Sequence, residues 1–172
     1  LTAKVLRRTL NKESFIDGDE MLGIINQQLS YGPRYMSAPG HQAVQKFLIA
    51  EMKEQTDEVK TQTWTYQGSD GKNYPLTNII GRLYPSNGRR IILATHYDSK
   101  KLADQDLIHK DQPVPGANDS ASGVSILVEL ARILKELDIE PRVGIDFVFF
   151  DGEEGDEKQN SDYSNWKPLG SS

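Results

Sequence analysis

The sequence predicts an α/β fold, a mixed central sheet sandwiched by helices, and three observations predict it. First, Ile91–Ala94 and Gly144–Phe150 are dense apolar runs bounded by polar segments, the pattern of strands buried in a sheet. Second, the stretch between them repeats Val124, Leu127, Val128, Ala131 and Leu134 at helical spacing, long enough for a crossover helix. Third, both strands run into chemistry-bearing residues, Thr95-His96-Tyr97-Asp98 and Asp151-Gly152-Glu153-Glu154. A parallel strand–helix–strand unit brings both strand ends to one sheet edge, where α/β proteins bind their ligands.

A chain of 172 residues suffices for one domain with its own core. We divide it into an amino-terminal helical segment, 1–30, and a core, 31–172. Leu1 to Phe15 is weakly patterned. Asp17 or Asp19 caps a helix through Met21, Leu22, Ile25 and Leu29, which Gly32-Pro33 ends. Tyr31 to Gly40 is too rich in Gly and Pro for regular structure. A second helix, from about His41 to Lys53, buries Val44, Phe47, Leu48 and Met52. Thr61–Tyr66 alternates like a strand, and Gly68-Ser69-Asp70-Gly71 turns it into a second around Thr77 to Leu83. Asn87-Gly88 is the strongest hairpin signal in the chain and predicts Ile79–Tyr84 and Arg90–Ala94 as antiparallel neighbours. The unalternating Ile91–Ala94 predicts a strand covered on both faces. Ser99 to Pro115 reads as a long polar loop, of the kind that is often functional. The crossover helix runs from Ser120 to about Leu137.

Composition narrows the function classes. A net charge of −5 without a basic patch excludes a nucleic-acid surface. No apolar run approaches the roughly 20 residues that cross a bilayer. The absence of cysteine removes disulfides and thiolate metal sites. The chain starts at Leu1 rather than Met, which implies a processed or trimmed amino terminus. The expected location is therefore secreted or periplasmic, with anchoring through a missing segment as the alternative.

The chemistry sits in His96, Asp98, Asp119, Glu153 and Glu154. Carboxylates with imidazole, and no thiolates, suit a zinc-like divalent ion. His96 and Asp98 are two apart, so in extended chain they share a side and Asp98 can orient the His96 ring. Glu153 and Glu154 are adjacent and diverge, so one can ligate while the other serves as general base. Each residue alone has an ordinary explanation: a hydrogen-bonded histidine, a helix cap, a solvated acidic loop. Together they need three coincidences at one sheet edge. Small residues around Asp119, in Gly116-Ala117-Asn118-Asp119-Ser120-Ala121-Ser122-Gly123, allow close backbone approach.

His96-Tyr97-Asp98-Ser99-Lys100, the Gly116–Gly123 segment and Phe149-Phe150-Asp151-Gly152-Glu153-Glu154 resemble, in that order, the motifs of the zinc aminopeptidase and glutaminyl cyclase superfamily. The resemblance covers roughly Tyr31 to Ser172. It implies Asp119 and Glu154 as zinc ligands and Glu153 as acid/base. In the two-metal aminopeptidases the His of the first motif, here His96, is also a ligand and the Asp of the second bridges both ions. In the cyclases one zinc is usual, held by the Asp and Glu motifs and a distant His. Gly32-Pro33-Arg34 resembles the cyclase entrance loop, and Trp166 with Leu169-Gly170-Ser171 resembles the segment whose Trp lines the substrate pocket.

That resemblance implies a zinc-dependent glutaminyl-peptide cyclotransferase acting on a peptide or protein amino terminus. The alternatives are a metalloaminopeptidase and an inactive binding domain. No His follows His109, so the distant ligand is missing and the chain reads as the amino-terminal portion of a catalytic domain, expected to hold zinc weakly by itself.

Overall fold

The computed structural model describes residues 16–137, 142–156 and 167–172. Helix α1, Gly18–Ser30, begins where Asp17 accepts hydrogen bonds from the backbone N–H of Asp19 (3.1 Å) and Glu20 (3.2 Å). Such a cap satisfies donors that the first turn leaves orphaned. Asp17→Ala is expected to cost about 0.5–2 kcal/mol, read as a lower denaturant midpoint at unchanged slope. Met21, Ile24, Ile25 and Leu29 are half-buried, but Leu22, expected inside, is 57% exposed. The residue that α1 buries fully is the polar Gln28. Its amide donates to Ile24 O (3.2 Å) and Ala121 O (3.1 Å), so it is retained for a contact rather than for hydrophobicity.

Helix α2, Pro39–Gln55, starts on a proline that needs no N–H partner and ends at Thr56, whose hydroxyl donates to Met52 O at 2.6 Å. Val44, Leu48 and Met52, one helical turn apart, are its buried stripe, with Phe47 half-buried beside them. Strands β1, Glu58–Gln67, and β2, Asn73–Leu83, form an antiparallel hairpin in register from Glu58↔Arg82 to Gln67↔Asn73. Strand β3, Arg90–His96, helix α3, Gly123–Leu137, and strand β4, Gly144–Phe150, form the parallel crossover unit. Among the described residues the sheet is four-stranded and mixed, in the order β1-β2-β4-β3. α2 lies on β1 and β2, α3 lies on β3 and β4, and α1 packs on α3. The core fills the space between this helical layer and the sheet: Val44, Leu48, Met52, Ile79, Leu83, Val124, Val128, Phe147 and Phe149.

The sheet order overturns the Asn87-Gly88 hairpin. β4 inserts between β2 and β3, pairing antiparallel with β2 (Arg82↔Asp146) and parallel with β3 (Ile92↔Asp146). Asp146 is the one acid within an otherwise apolar strand. It accepts from Arg82 Nε (2.9 Å) on one side and from Arg90 Nη2 (2.7 Å) on the other. Two basic residues flanking a central acid fit only if β4 lies between their strands, and this outweighs a two-residue turn preference. Arg90 also donates to Leu83 O, Tyr84 O and Ile145 O at 3.0–3.1 Å, closing the end of the sheet. Among the described residues β3 is therefore an edge strand. Ile91 and Ile92 are 49% and 65% exposed, against the expectation of cover on both faces.

Candidate metal centre

The carboxyl edge of β3 and β4 gathers the site. Pairing of the two strands continues past β3, with Tyr97 N–H donating to Phe150 O at 3.1 Å. His96 thus ends β3 beside the turn that follows β4. Asp98, 1% exposed, joins the two loops directly. Its Oδ1 accepts the Glu153 N–H (3.1 Å) and its Oδ2 the Glu154 N–H (3.0 Å). Asp98 Oδ1 also lies 3.3 Å from His96 Nδ1, ion-pair range without the alignment of a hydrogen bond.

Asp119 arrives on an irregular wide turn, Ala117–Ser122, that precedes α3, so the helix starts at Gly123 and not at Ser120. The Asp119–Ser120 peptide is cis. Gly116, at φ 65°, opens the turn, and a Cβ there would sit 2.6 Å from Asp119 O, so conformation and space both demand glycine. Ser120 donates its hydroxyl to His96 O, tying the turn to the end of β3.

On the far side Asp151, fully buried, anchors the turn after β4. Its Oδ1 lies 2.6 Å from His41 Nε2 of α2, and its Oδ2 accepts the Thr77 N–H at 2.7 Å. Gly152 follows at φ 66° under Leu76 and Leu169, turning the chain so that Glu153 and Glu154 come back over the sheet edge.

The outcome is a compact cluster. His96 Nε2 lies 2.8 Å from Asp119 Oδ1 and 3.8 Å from Glu153 Oε2. His96, Asp119 and Glu154 each offer one donor atom, all within 4.8 Å of one another. Burial pushes the Glu154 carboxyl up to about 7, helped by the neighbouring Asp98 and Asp119 charges. Burial also raises Glu153, against the downward pull of His96. Burial alone would lower the His96 imidazole, but Asp98, Glu153 and Asp119 outweigh it and push it up to about 9. Carboxylates crowded around one imidazole are relieved of their mutual repulsion by a cation, and an N/O donor set without sulfur fits zinc.

Trp166 lies outside the described residues. His109 sits in its own loop turn, 3.8 Å from Asp106. Sequence reasoning missed the supporting residues Arg34, His41, Gln28 and Asp151. Asp151 lies inside the Phe149–Glu154 motif and Arg34 inside the Gly- and Pro-rich loop, yet neither has a chemical spacing to mark it.

An α/β sheet whose carboxyl edge brings an imidazole and two carboxylates within one ion's reach belongs to the metal-site class of α/β proteins. Residues 78–171, more than half of the chain, match Peptidase family M28, and the chain belongs to that family. It is 32% identical over 130 residues to the glutaminyl-peptide cyclotransferase of Bos taurus, covering 70% of this chain and 35% of that protein. The Porphyromonas gingivalis glutaminyl cyclase structure superposes with a TM-score of 0.81 at 32% identity, over 91% of this chain and 54% of that one. A Zn-dependent exopeptidase from Parabacteroides distasonis gives 0.79 at 32% identity, over 90% and 54%. The chain thus spans about a third of its bovine relative and about half of these two structures. Among the described residues no helix is long and apolar enough to cross a membrane.

Proposed function

We propose that the complete protein is a zinc-dependent glutaminyl-peptide cyclotransferase, closing an amino-terminal Gln to pyroglutamate with release of ammonia. The observation that carries this reading is the likeness to a glutaminyl cyclase over nine-tenths of the chain. Asp119 and Glu154 would hold the ion, with His96, whose donor atom lies within 4.8 Å of theirs, completing the set in place of the distant His that the cyclase resemblance implies. Bound there, zinc supplies Lewis-acid polarisation of the substrate's γ-carboxamide.

Glu153 stands outside the three-residue cluster, its Oε2 3.8 Å from His96. Its task is to accept a proton as the substrate's α-amine forms a bond to the carboxamide carbon, Cδ of the Gln, and to return one as the bond from that carbon to the departing ammonia nitrogen breaks. A carboxyl raised by burial suits both halves of that transfer. Asp98 acts by position: its two oxygens fix the backbone of Glu153 and Glu154 while facing the His96 ring.

One observation favours a second reading. The Zn-dependent exopeptidase superposes nearly as well as the cyclase, which supports a two-ion aminopeptidase. In that enzyme Glu153 would deprotonate a water instead of an amine. Product analysis separates them. Incubated with an amino-terminal Gln peptide, the complete protein is expected to release ammonia while the peptide keeps all its residues. Mass spectrometry showing one residue removed from varied peptides, with no loss of ammonia, overturns the cyclase and leaves the peptidase.

A further inference from the structure

Four hydrogen bonds around the metal centre converge on Arg34, a residue that none of the three motifs contains. Arg34 is fully buried, a costly place for a cation unless its donors are met. Its Nε donates to Tyr97 O (3.2 Å), its Nη1 to Pro115 O (2.8 Å) and its Nη2 to Gly116 O (2.8 Å). Its backbone N–H donates to Ser99 Oγ at 2.9 Å. Tyr97 and Ser99 follow His96 on the loop leaving β3. Pro115 and Gly116 open the turn that carries Asp119. One planar guanidinium therefore bridges the segments bearing two of the three candidate ligands.

The fit leaves little slack, since a Cβ on Gly116 would lie 2.7 Å from Arg34 Nη2. A rigid fork of donors can meet three carbonyls at once, whereas a lysine ammonium on a flexible stem cannot hold them at a fixed separation. An apolar side chain would fill the volume without desolvating a charge, so what Arg34 adds is spacing.

We propose that Arg34 is a positioning residue of the metal centre, fixing the separation of His96 and Asp119 so that both reach one ion. The proposal rests on the reading that His96, Asp119 and Glu154 hold zinc. The test uses the complete protein, stripped of metal and titrated with zinc against a chromophoric chelator, beside Arg34→Lys, Arg34→Met and Asp119→Ala. Thermal unfolding of each metal-free protein reports whether the fold survives. Folded Arg34 variants are expected to lose about 10–100-fold in zinc affinity, Arg34→Lys less than Arg34→Met. The cobalt-loaded Arg34→Lys protein is expected to show a shifted visible spectrum, which a role in folding alone would not produce.

Affinity within about twofold of wild type in a folded Arg34 variant overturns the proposal. If neither variant folds, Ser99→Ala carries the test by removing the acceptor of the Arg34 N–H. A loss of about threefold or more supports the proposal, as one hydrogen bond's worth of positioning, and an unchanged affinity overturns it. Zinc uptake that Asp119→Ala abolishes and Arg34→Met leaves intact overturns this proposal alone. A wild-type protein that takes up no zinc overturns both it and the zinc reading.

Discussion

Replacing Glu153 by Gln in the complete protein is expected to leave zinc content unchanged and to lower turnover by about 10²–10⁴-fold. The substitution keeps the shape and hydrogen-bonding reach of the side chain and removes its capacity to take a proton. Zinc content should hold because His96, Asp119 and Glu154 supply the converging donor atoms without it. The backbone of Glu153 stays clamped by Asp98, so the variant disturbs chemistry and not position. Elemental analysis of the purified variant and ammonia release from a Gln peptide measure the two halves separately. Loss of zinc in Glu153→Gln would move this residue into the ligand set and hand the general-base role to another group.

The parts of this site that were legible in the sequence share a physical property: their signal is local. His96 and Asp98 stand two apart at a strand end, and Glu153 and Glu154 stand together after another. Strand pattern and residue chemistry therefore coincide within one short window. The crossover unit was legible for the same reason, because α3 buries Val124, Leu127, Val128 and Ala131 at helical spacing.

What failed was local signal set against distant partners. Asn87-Gly88 favours a hairpin by turn preference, but Asp146 takes Arg82 and Arg90 from opposite sides and puts β4 between their strands. Ile91 and Ile92 read as doubly covered because apolar runs do not distinguish a central strand from an edge. Leu22 faces outward while Gln28, a few residues on, is buried for its bond to Ala121 O. Arg34 bonds carbonyls 63 to 82 residues away, and no spacing rule on one sequence reaches that far.

His41 shows the same limit and carries the second large expected effect. On α2 it reads as one polar residue of an amphipathic helix, yet it is 3% exposed and its Nε2 lies 2.6 Å from Asp151 Oδ1. Its ring also stacks on Tyr97, centroids 5.7 Å apart, and the Tyr97 hydroxyl donates to Thr77 O at 2.8 Å. His41→Ala strips a fully buried carboxylate of this partner and leaves a gap against Tyr97. Stripping a buried acceptor of its partner costs about 1–3 kcal/mol and the gap against Tyr97 adds to it, while Asp151 Oδ2 keeps Thr77 N–H and Gln45 Nε2. His41→Gln, whose amide can still donate to Asp151, is expected to recover part of the loss. Denaturant unfolding of the metal-free complete protein and both variants measures it, away from any contribution of zinc binding. Asp151 also roots the turn presenting Glu153 and Glu154, so His41→Ala should weaken zinc uptake as well as stability. A stability loss under about 1 kcal/mol would mean that the bonds to Thr77 and Gln45 hold Asp151 without the imidazole, and that His41 is not its anchor.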